Sequence, residues 1–182
     1  MLKNNGVKFS KGLLQDEIDE IEKIYEIKFP KSLCEFYKQG FPVSADDNRF
    51  PQWMNFSDEN ISKIKKRIYA PYEWLLKYVK IGFWVPQWGE TKESNDEKIQ
   101  KYLEIITDAP KLIPLYSHRY MPVLDGVDNP PVISTVGRDT IIYGGNLYEY
   151  LRNEFGNRGD FFVKQNHINI PFWSDVIKAN YN

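Results

Sequence analysis

The chain has 182 residues, enough for one domain with a substantial hydrophobic core. Its 24 Lys and Arg balance 25 Asp and Glu, so no strong field favours nucleic acid or an anionic membrane as the partner. Aromatic residues make up 15% of the chain. Such residues are the commonest anchors of protein interfaces, and they also fill cores, so the excess fits either role.

The cysteine content and the N-terminal residues predict the compartment. A single cysteine, Cys34, excludes an intrachain disulfide. The first residues, MLKNNGVKFSKG, lack the apolar run of a signal peptide. No apolar window approaches the roughly 20 residues that a membrane span requires. We therefore expect a protein of a reducing, cytoplasmic compartment that does not associate with membranes.

The first part of the chain has the periodicity of amphipathic helices. A first helix is predicted from apolar residues three or four positions apart, at Leu14, Ile18, Ile21 and Tyr25. A second helix follows Pro30, which suits a first helical turn, and ends at Gly40. Residues 41–56 are predicted to form a loop, because they contain two prolines and an Asp-Asp-Asn cluster.

A third helix is predicted to begin after Ser57, a good N-cap residue. One of its faces is basic, with Lys63, Lys65, Lys66 and Arg67. Such a run is more typical of a solvated face than of an anion site.

Pro71 is predicted to break the third helix, and a separate helix follows it as far as Gly82. Residues 83–89, FWVPQWG, then form an aromatic corner. Ser94 and Glu97 form a capping box, which predicts the start of a further helix that Pro110 closes.

Short strands rich in β-branched and apolar residues are predicted next, at 112–116, 119–124, 132–136 and 140–143. Asn146 can cap a helix that packs against them, with Glu149 three residues on. Residues 161–163 are interpreted as a further strand, and Pro171 precedes a last short helix. This pattern predicts a meander of strands covered by helices.

The sequence carries none of the common catalytic motifs that we sought. It has no P-loop and no G-x-S-x-G elbow. His118 and His167 belong to no H-E-x-x-H or C-x-x-C arrangement, so no metal site is expected. Most carboxylates fall at helix starts and on polar faces, where the helix dipole and solvation explain them. We expect no enzyme and no cofactor, and a hydrolase or carbohydrate-binding domain is the third hypothesis.

Three local groups are candidates for a binding site: Trp84, Trp88 and Glu90; His118, Arg119 and Tyr120; and Arg138 with Asp139. The Arg119 guanidinium could bind an acidic group of a partner, because its fork of donors fits a carboxylate. The alternative is that Arg119 pairs internally, with Asp139 or Glu90, and that the two tryptophans belong to the core.

The order of these patterns resembles the SUKH superfamily, the Smi/Knr-like proteins. The resemblance begins with EIDEIEKIYEIKFPKSLCEFYKQG, continues with LIPLYSHRYMP and ends with PVISTVGRDTIIYGGNLYEYLRNEF. A bacterial subset is also similar in the GFW…WG corner, the HRY-x-P turn and the D-x-I-x-Y-G strand. The match covers residues 12–155, and 156–182 form a C-terminal extension. Its structural-motif residues are Pro30, Gly82, Pro114, His118, Asp139 and Tyr143.

The chain has no repeat, no low-complexity tract and no linker, so we expect a single domain over residues 1–182. The resemblance implies an α+β fold with a mixed, mostly antiparallel sheet and helices packed around it. It also implies a non-enzymatic role, because many bacterial members look like immunity proteins that bind and neutralise a cognate toxin domain. Fungal relatives act as regulatory scaffolds in cell-wall signalling.

The first hypothesis is therefore an immunity-type protein whose partner is a toxin domain. Its binding patch is predicted to come from Trp53, Trp84, Trp88, Arg119 and Tyr120. The second hypothesis is a regulatory scaffold for an endogenous protein. Neither hypothesis specifies an oligomeric state, and neither involves nucleic acid.

Overall fold

A computed structural model describes residues 7–43, 49–90, 94–156, 161–163 and 168–180. These residues form 6 α-helices and two antiparallel sheets, one of 2 strands and one of 4. The α+β class is therefore confirmed. Within the same ranges, no helix combines the length and the apolar character that crossing a bilayer requires.

The four-stranded sheet is the predicted meander. Its strands follow one another in the order β3-β4-β5-β6, and every neighbouring pair is antiparallel. They are β3 (Leu112–Tyr116), β4 (Arg119–Pro122), β5 (Val132–Val136) and β6 (Asp139–Gly144). β4 is two residues shorter than predicted, although the Val123 amide still donates to the Lys111 carbonyl at 2.9 Å.

Both faces of this sheet are buried, since successive side chains of a strand point to opposite sides. One face contributes Ile113, Leu115 and Met121 to a first hydrophobic core. The other face contributes Leu112, Tyr120 and Ile133 to a second core. The sheet therefore separates two layers of helices. β3 reads as an apolar run, whereas β6, at the edge, alternates between buried and more exposed residues.

The first core is covered by α1 (Gln15–Tyr25) and α2 (Lys31–Gln39), close to where the sequence predicts them. Pro30 is the residue just before α2, and Gly40 ends the helix. A buried carboxylate fixes the link between the helices: Glu22 accepts a hydrogen bond from the Phe29 amide at 2.8 Å and pairs with the Lys28 ammonium.

A two-stranded sheet beside this core was not predicted. β1 (Lys8–Ser10) pairs with β2 (Phe41–Val43), so the start of the predicted 41–56 loop is a strand. Residues 44–48 of that loop lie outside the described residues. Strands of 3 residues are too short to show a period of two, and their pairing joins distant parts of the chain.

The prediction that Pro71 breaks a helix is wrong: α3 (Asp58–Val79) runs through it as one helix of 22 residues. The proline removes one backbone hydrogen bond, which costs a few kcal/mol in an isolated helix. However, the apolar stripe of α3 stays in phase across it, with Ile64, Ile68, Tyr72, Leu75 and Val79 all buried. Burial of this stripe in both cores offsets the local cost.

Two later helices begin at the N-terminal caps that the sequence predicts. In α4 (Asn95–Ile106), Ser94 Oγ accepts a hydrogen bond from the Glu97 amide at 3.2 Å. In α5 (Leu147–Phe155), Asn146 Oδ1 accepts from the Glu149 amide at 2.9 Å. These local caps explain why sequence patterns locate both helix starts.

The last helix, α6 (Trp173–Ala179), packs against β6 and belongs to the second core. Trp173 is fully buried, and its Nε1 donates to the Tyr72 hydroxyl at 3.2 Å. The predicted C-terminal extension thus supplies part of the second core. The prediction of a strand at 161–163 is wrong, because these residues have no strand partner among the described residues.

We expect alanine at two turn glycines to separate backbone strain from packing. Gly126 and Gly137 both have positive φ, but only a Cβ on Gly137 would clash, at 2.2 Å from Tyr78 Cε2. Gly126→Ala should lower the free energy of unfolding by about 1 kcal/mol, the cost of a left-handed backbone. Gly137→Ala should lower the free energy of unfolding by clearly more, as measured in the same denaturant titration. Equal losses would contradict the Gly137–Tyr78 packing.

Candidate partner-binding surface

Three of the five residues predicted to bind a partner are interior. Trp53 is fully buried, and its Nε1 donates to the Tyr37 hydroxyl at 3.3 Å. Tyr120 is buried in the second core, where Trp88 stacks on Phe172 at 5.3 Å between ring centroids. These side chains fill the cores, so the core interpretation applies to them and they offer a partner no surface.

Trp84 is the half-buried member of the aromatic corner. Its Nε1 donates to the Gly89 carbonyl at 2.9 Å, and its ring meets Trp88 edge-on at 5.4 Å. Gly82 and Gly89 enclose the corner with φ values of +103° and +99°, which glycine adopts without strain. Trp84 therefore closes a local turn, and it does not join Arg119 in one patch.

Arg119 pairs internally, but with a partner that the sequence did not indicate. Its Nε donates to Glu154 at 2.9 Å, and its Nη1 donates to Ser134 Oγ at 2.8 Å. Asp139 and Glu90 are not its partners, which corrects the predicted pairing. The side chains of Arg119 and Glu154 are only 11% and 16% exposed. This charge pair is therefore shielded from water. Charge-assisted hydrogen bonds are strong in such a shielded environment.

The register of the sheet explains this pairing. Arg119 lies opposite Ser134, and Ser134 lies opposite Ile141, so the three side chains share one face. Tyr143 follows two residues later on that face, and its ring centroid is 3.8 Å from the Arg119 guanidinium carbon. The cation thus stacks on an aromatic face while α5 supplies the carboxylate.

His118 and Asp139 lie in the turns at the same end of the sheet. The His118 carbonyl accepts from the Thr135 amide at 3.1 Å, and Nδ1 lies 3.1 Å from Ser117 Oγ. Partial burial and the neighbouring Arg119 lower the pKa of His118 below its ordinary value of 6.5. Asp139 is exposed at the start of β6, and Pro114 is buried in β3. These motif residues shape the turns and the core.

A β-bulge in the edge strand β6 falls at Tyr143, whose ring is partly buried against the first core. Val132 pairs with Gly144 and Ile133 with Ile142, which leaves Tyr143 as the extra residue of β6. The Tyr143 ring then meets Phe161 edge-on, with 5.3 Å between centroids. A single ring therefore joins the internal Arg119 cluster to the surface.

Three exposed rings lie near Tyr143 and Arg152. Phe161 and Phe162 are 54% and 53% exposed, and the Arg152 guanidinium carbon lies 5.4 Å from the Phe162 ring centroid. Tyr148, one helical turn before Arg152 on α5, is 67% exposed. We call Tyr143, Tyr148, Arg152, Phe161 and Phe162 the aromatic–arginine patch.

Asn153 holds this patch in place. Its Nδ2 donates to the Tyr143 carbonyl at 2.7 Å and to the Phe162 carbonyl at 2.8 Å. Its Oδ1 accepts from the Phe162 amide at 3.2 Å. One amide side chain thus ties residues 161–163 to both β6 and α5. The two phenylalanines are therefore held in position, which reduces the entropy that binding would cost.

Sequence reasoning missed Phe161 and Phe162 as surface residues because an apolar triplet is ambiguous. The triplet Phe161-Phe162-Val163 resembles a buried strand, and only its position relative to Asn153 shows the rings at the surface. The two glycines just before it, Gly156 and Gly159, were the available signal against a strand.

Comparison with known proteins found no matching family model, no matching curated protein and no matching solved structure. Over the residues that the structure describes, no three His, Cys, Asp or Glu side chains are grouped to hold a metal ion. His167 lies outside those residues.

A double-mutant cycle should measure the coupling between Arg119 and Glu154. Arg119→Met, Glu154→Gln and the double variant should give a coupling energy of about 1–3 kcal/mol, because the pair is largely shielded from water. The exposed pair Lys101–Glu104, 3.3 Å apart, is the control and should couple by under about 0.5 kcal/mol. Equal coupling in both cycles would contradict the structural role of Arg119.

Proposed function

We propose that this chain is a non-enzymatic protein-binding module that contacts its partner through the aromatic–arginine patch. The observation that supports it is the group of exposed phenylalanine and tyrosine rings beside Arg152, fixed by Asn153. Exposed apolar groups of this kind mark interaction sites in soluble proteins. Aromatic residues and arginine are also the side chains that contribute most to binding energy.

The partner that we propose is a toxin domain, which the chain binds and neutralises as an immunity-type protein. The support is the sequence resemblance to the SUKH superfamily, whose bacterial members include proteins of this type. Inhibition by contact needs only a surface that covers the active site of the toxin or holds the toxin inactive. The patch offers such a surface and requires no catalytic group.

The energetics of the patch would be concentrated in a few side chains. Phe161 and Phe162 each have about half of their surface still in contact with water, and that surface would be removed from water on binding. The Arg152 guanidinium already lies near the Phe162 ring. It would therefore lose little rotamer freedom when its N–H groups donate hydrogen bonds to a partner. A partner that presents an apolar pocket rimmed by carboxylates would complement this arrangement.

The test is a paired capture and growth experiment. The whole chain is used to capture its partner from a lysate of its own organism, and the captured protein is then expressed with and without the chain. We expect a toxin domain whose growth inhibition the chain relieves. The variant Phe161→Ala/Phe162→Ala should bind at least roughly 30-fold more weakly, as expected for two hot-spot residues.

Ile81→Ala is the matched control, because Ile81 is a large apolar residue just after α3 that is 80% exposed and does not belong to the patch. It should leave binding and growth rescue unchanged. Unchanged affinity in the double phenylalanine variant would overturn the patch as the binding surface. Capture of an endogenous regulatory protein through the same two residues would replace the immunity role with that of a scaffold.

A further inference from the structure

The basic face of α3 is a second charged surface, and the aromatic–arginine patch does not include it. Lys63, Lys65 and Lys66 are all exposed within little more than one helical turn. None of them forms an ion pair with a carboxylate among the described residues. By contrast, Lys101 and Lys178 lie 3.3 and 3.9 Å from acidic neighbours on their own helices.

The arrangement is unfavourable for an isolated helix. Lys63 is three residues from Lys66 and four from Arg67, and like charges at these spacings destabilise a helix. Glu59 lies four residues before Lys63 on this helix, and Glu73 lies further on, but among the described residues neither carboxylate forms an ion pair with these lysines. The local repulsion is thus not relieved by an ion pair within the described fold, and a complementary anion would relieve it.

An exposed aromatic ring lies within the same face. Tyr69 is 49% exposed and follows Lys65 by four residues and Lys66 by three, so the three side chains adjoin one another. A face that serves only solubility has no need of a half-exposed tyrosine. Tyrosine beside lysine instead offers apolar contact together with charge, a combination typical of protein interfaces.

Arg67 holds this face rigidly against the sheet. Its Nη2 donates to the Arg49 carbonyl and to the Ser117 carbonyl, both at 2.7 Å. The helix is therefore fixed where the run of lysines ends, and the face has a defined orientation relative to the β3–β4 turn. A partner would meet a preorganised surface.

We propose that Lys63, Lys65, Lys66 and Tyr69 form a docking site for an acidic protein segment. Lys63 and Lys66 are one turn apart, about 5 Å along the axis, which matches carboxylates at positions i and i+3 or i+4 of a partner helix. A nucleic-acid backbone is disfavoured, because the chain carries a net charge of −1 and acids flank the lysines on the same helix. This proposal does not rest on the proposed function.

The test uses the whole chain and a synthetic helical peptide with Glu at i, i+3 and i+7, with its Gln counterpart as reference. We expect the Glu peptide to bind at low salt, the Gln peptide not to bind, and added salt to weaken binding. Lys65→Glu/Lys66→Glu should weaken binding roughly ten-fold or more, because two attractive contacts become repulsive. Melting curves verify that each variant is folded, and Lys65→Gln/Lys66→Gln serves if the reversal unfolds the chain.

Lys77→Glu/Lys80→Glu is the control, since it changes the net charge equally at the other end of the same helix. It should bind the Glu peptide nearly as well as the original chain. Equal loss in the two reversal variants, or equal binding of the Glu and Gln peptides, would overturn the site. Tighter binding of a single-stranded oligonucleotide of the same charge would overturn the assignment to an acidic protein.

Discussion

The Arg119 cluster is the interaction on which the candidate surface depends. The guanidinium joins β4 to β5 through Ser134, to β6 through the Tyr143 ring and to α5 through Glu154. Removing the Arg119 cation would leave the largely shielded Glu154 carboxylate without its partner, and the Tyr143 ring would lose its stacking contact. The aromatic–arginine patch lies directly outside this cluster, so its geometry follows from a buried charge pair. Arg119 supports the patch, and the exposed residues present it.

Asparagine side chains bond backbone carbonyls along the β6 edge of the sheet. Asn180 Nδ2 donates to the Arg138 carbonyl at 2.6 Å and to the Thr140 carbonyl at 3.2 Å, while Asn153 bonds the Tyr143 carbonyl. Edge strands with free backbone groups invite pairing with other chains, and these contacts together with the bulge counter it. Recognition through side chains therefore fits this edge better than addition of a partner strand.

Sequence reasoning succeeded where the determinants are local. The capping residues Ser94 and Asn146 locate helix starts, because each cap needs only a neighbour three residues away. The strands of the meander were predicted because their turns and β-branched runs are contiguous. The prediction of the Arg119 partner was wrong, because Glu154 is 35 residues away in sequence and adjoins Arg119 only after α5 packs on the sheet.

Other features depended on packing that no local pattern reveals. Pro71 lies inside α3 because an apolar stripe on both sides of it enters the two cores. β1 and β2 pair across the α1–α2 unit, and their 3-residue lengths carry no periodicity. Trp53 and Tyr120 were proposed for the surface because aromatic type alone does not distinguish an interface anchor from a core residue. The exposed rings that replace them come from the C-terminal region.

Hydrogen exchange of the chain, alone and bound to its captured partner, tests the central claim most directly. Exposed segments exchange quickly unless a partner covers them, so residues 161–163 and the outward turns of α5 report on the patch. We predict that the Phe161 amide slows most in the complex. The Phe162 amide, which already donates to Asn153 Oδ1, and the helical amides around Arg152 should slow further from a partly protected state. Unchanged exchange there, with protection confined to the β1–β2 side of the molecule, would contradict it.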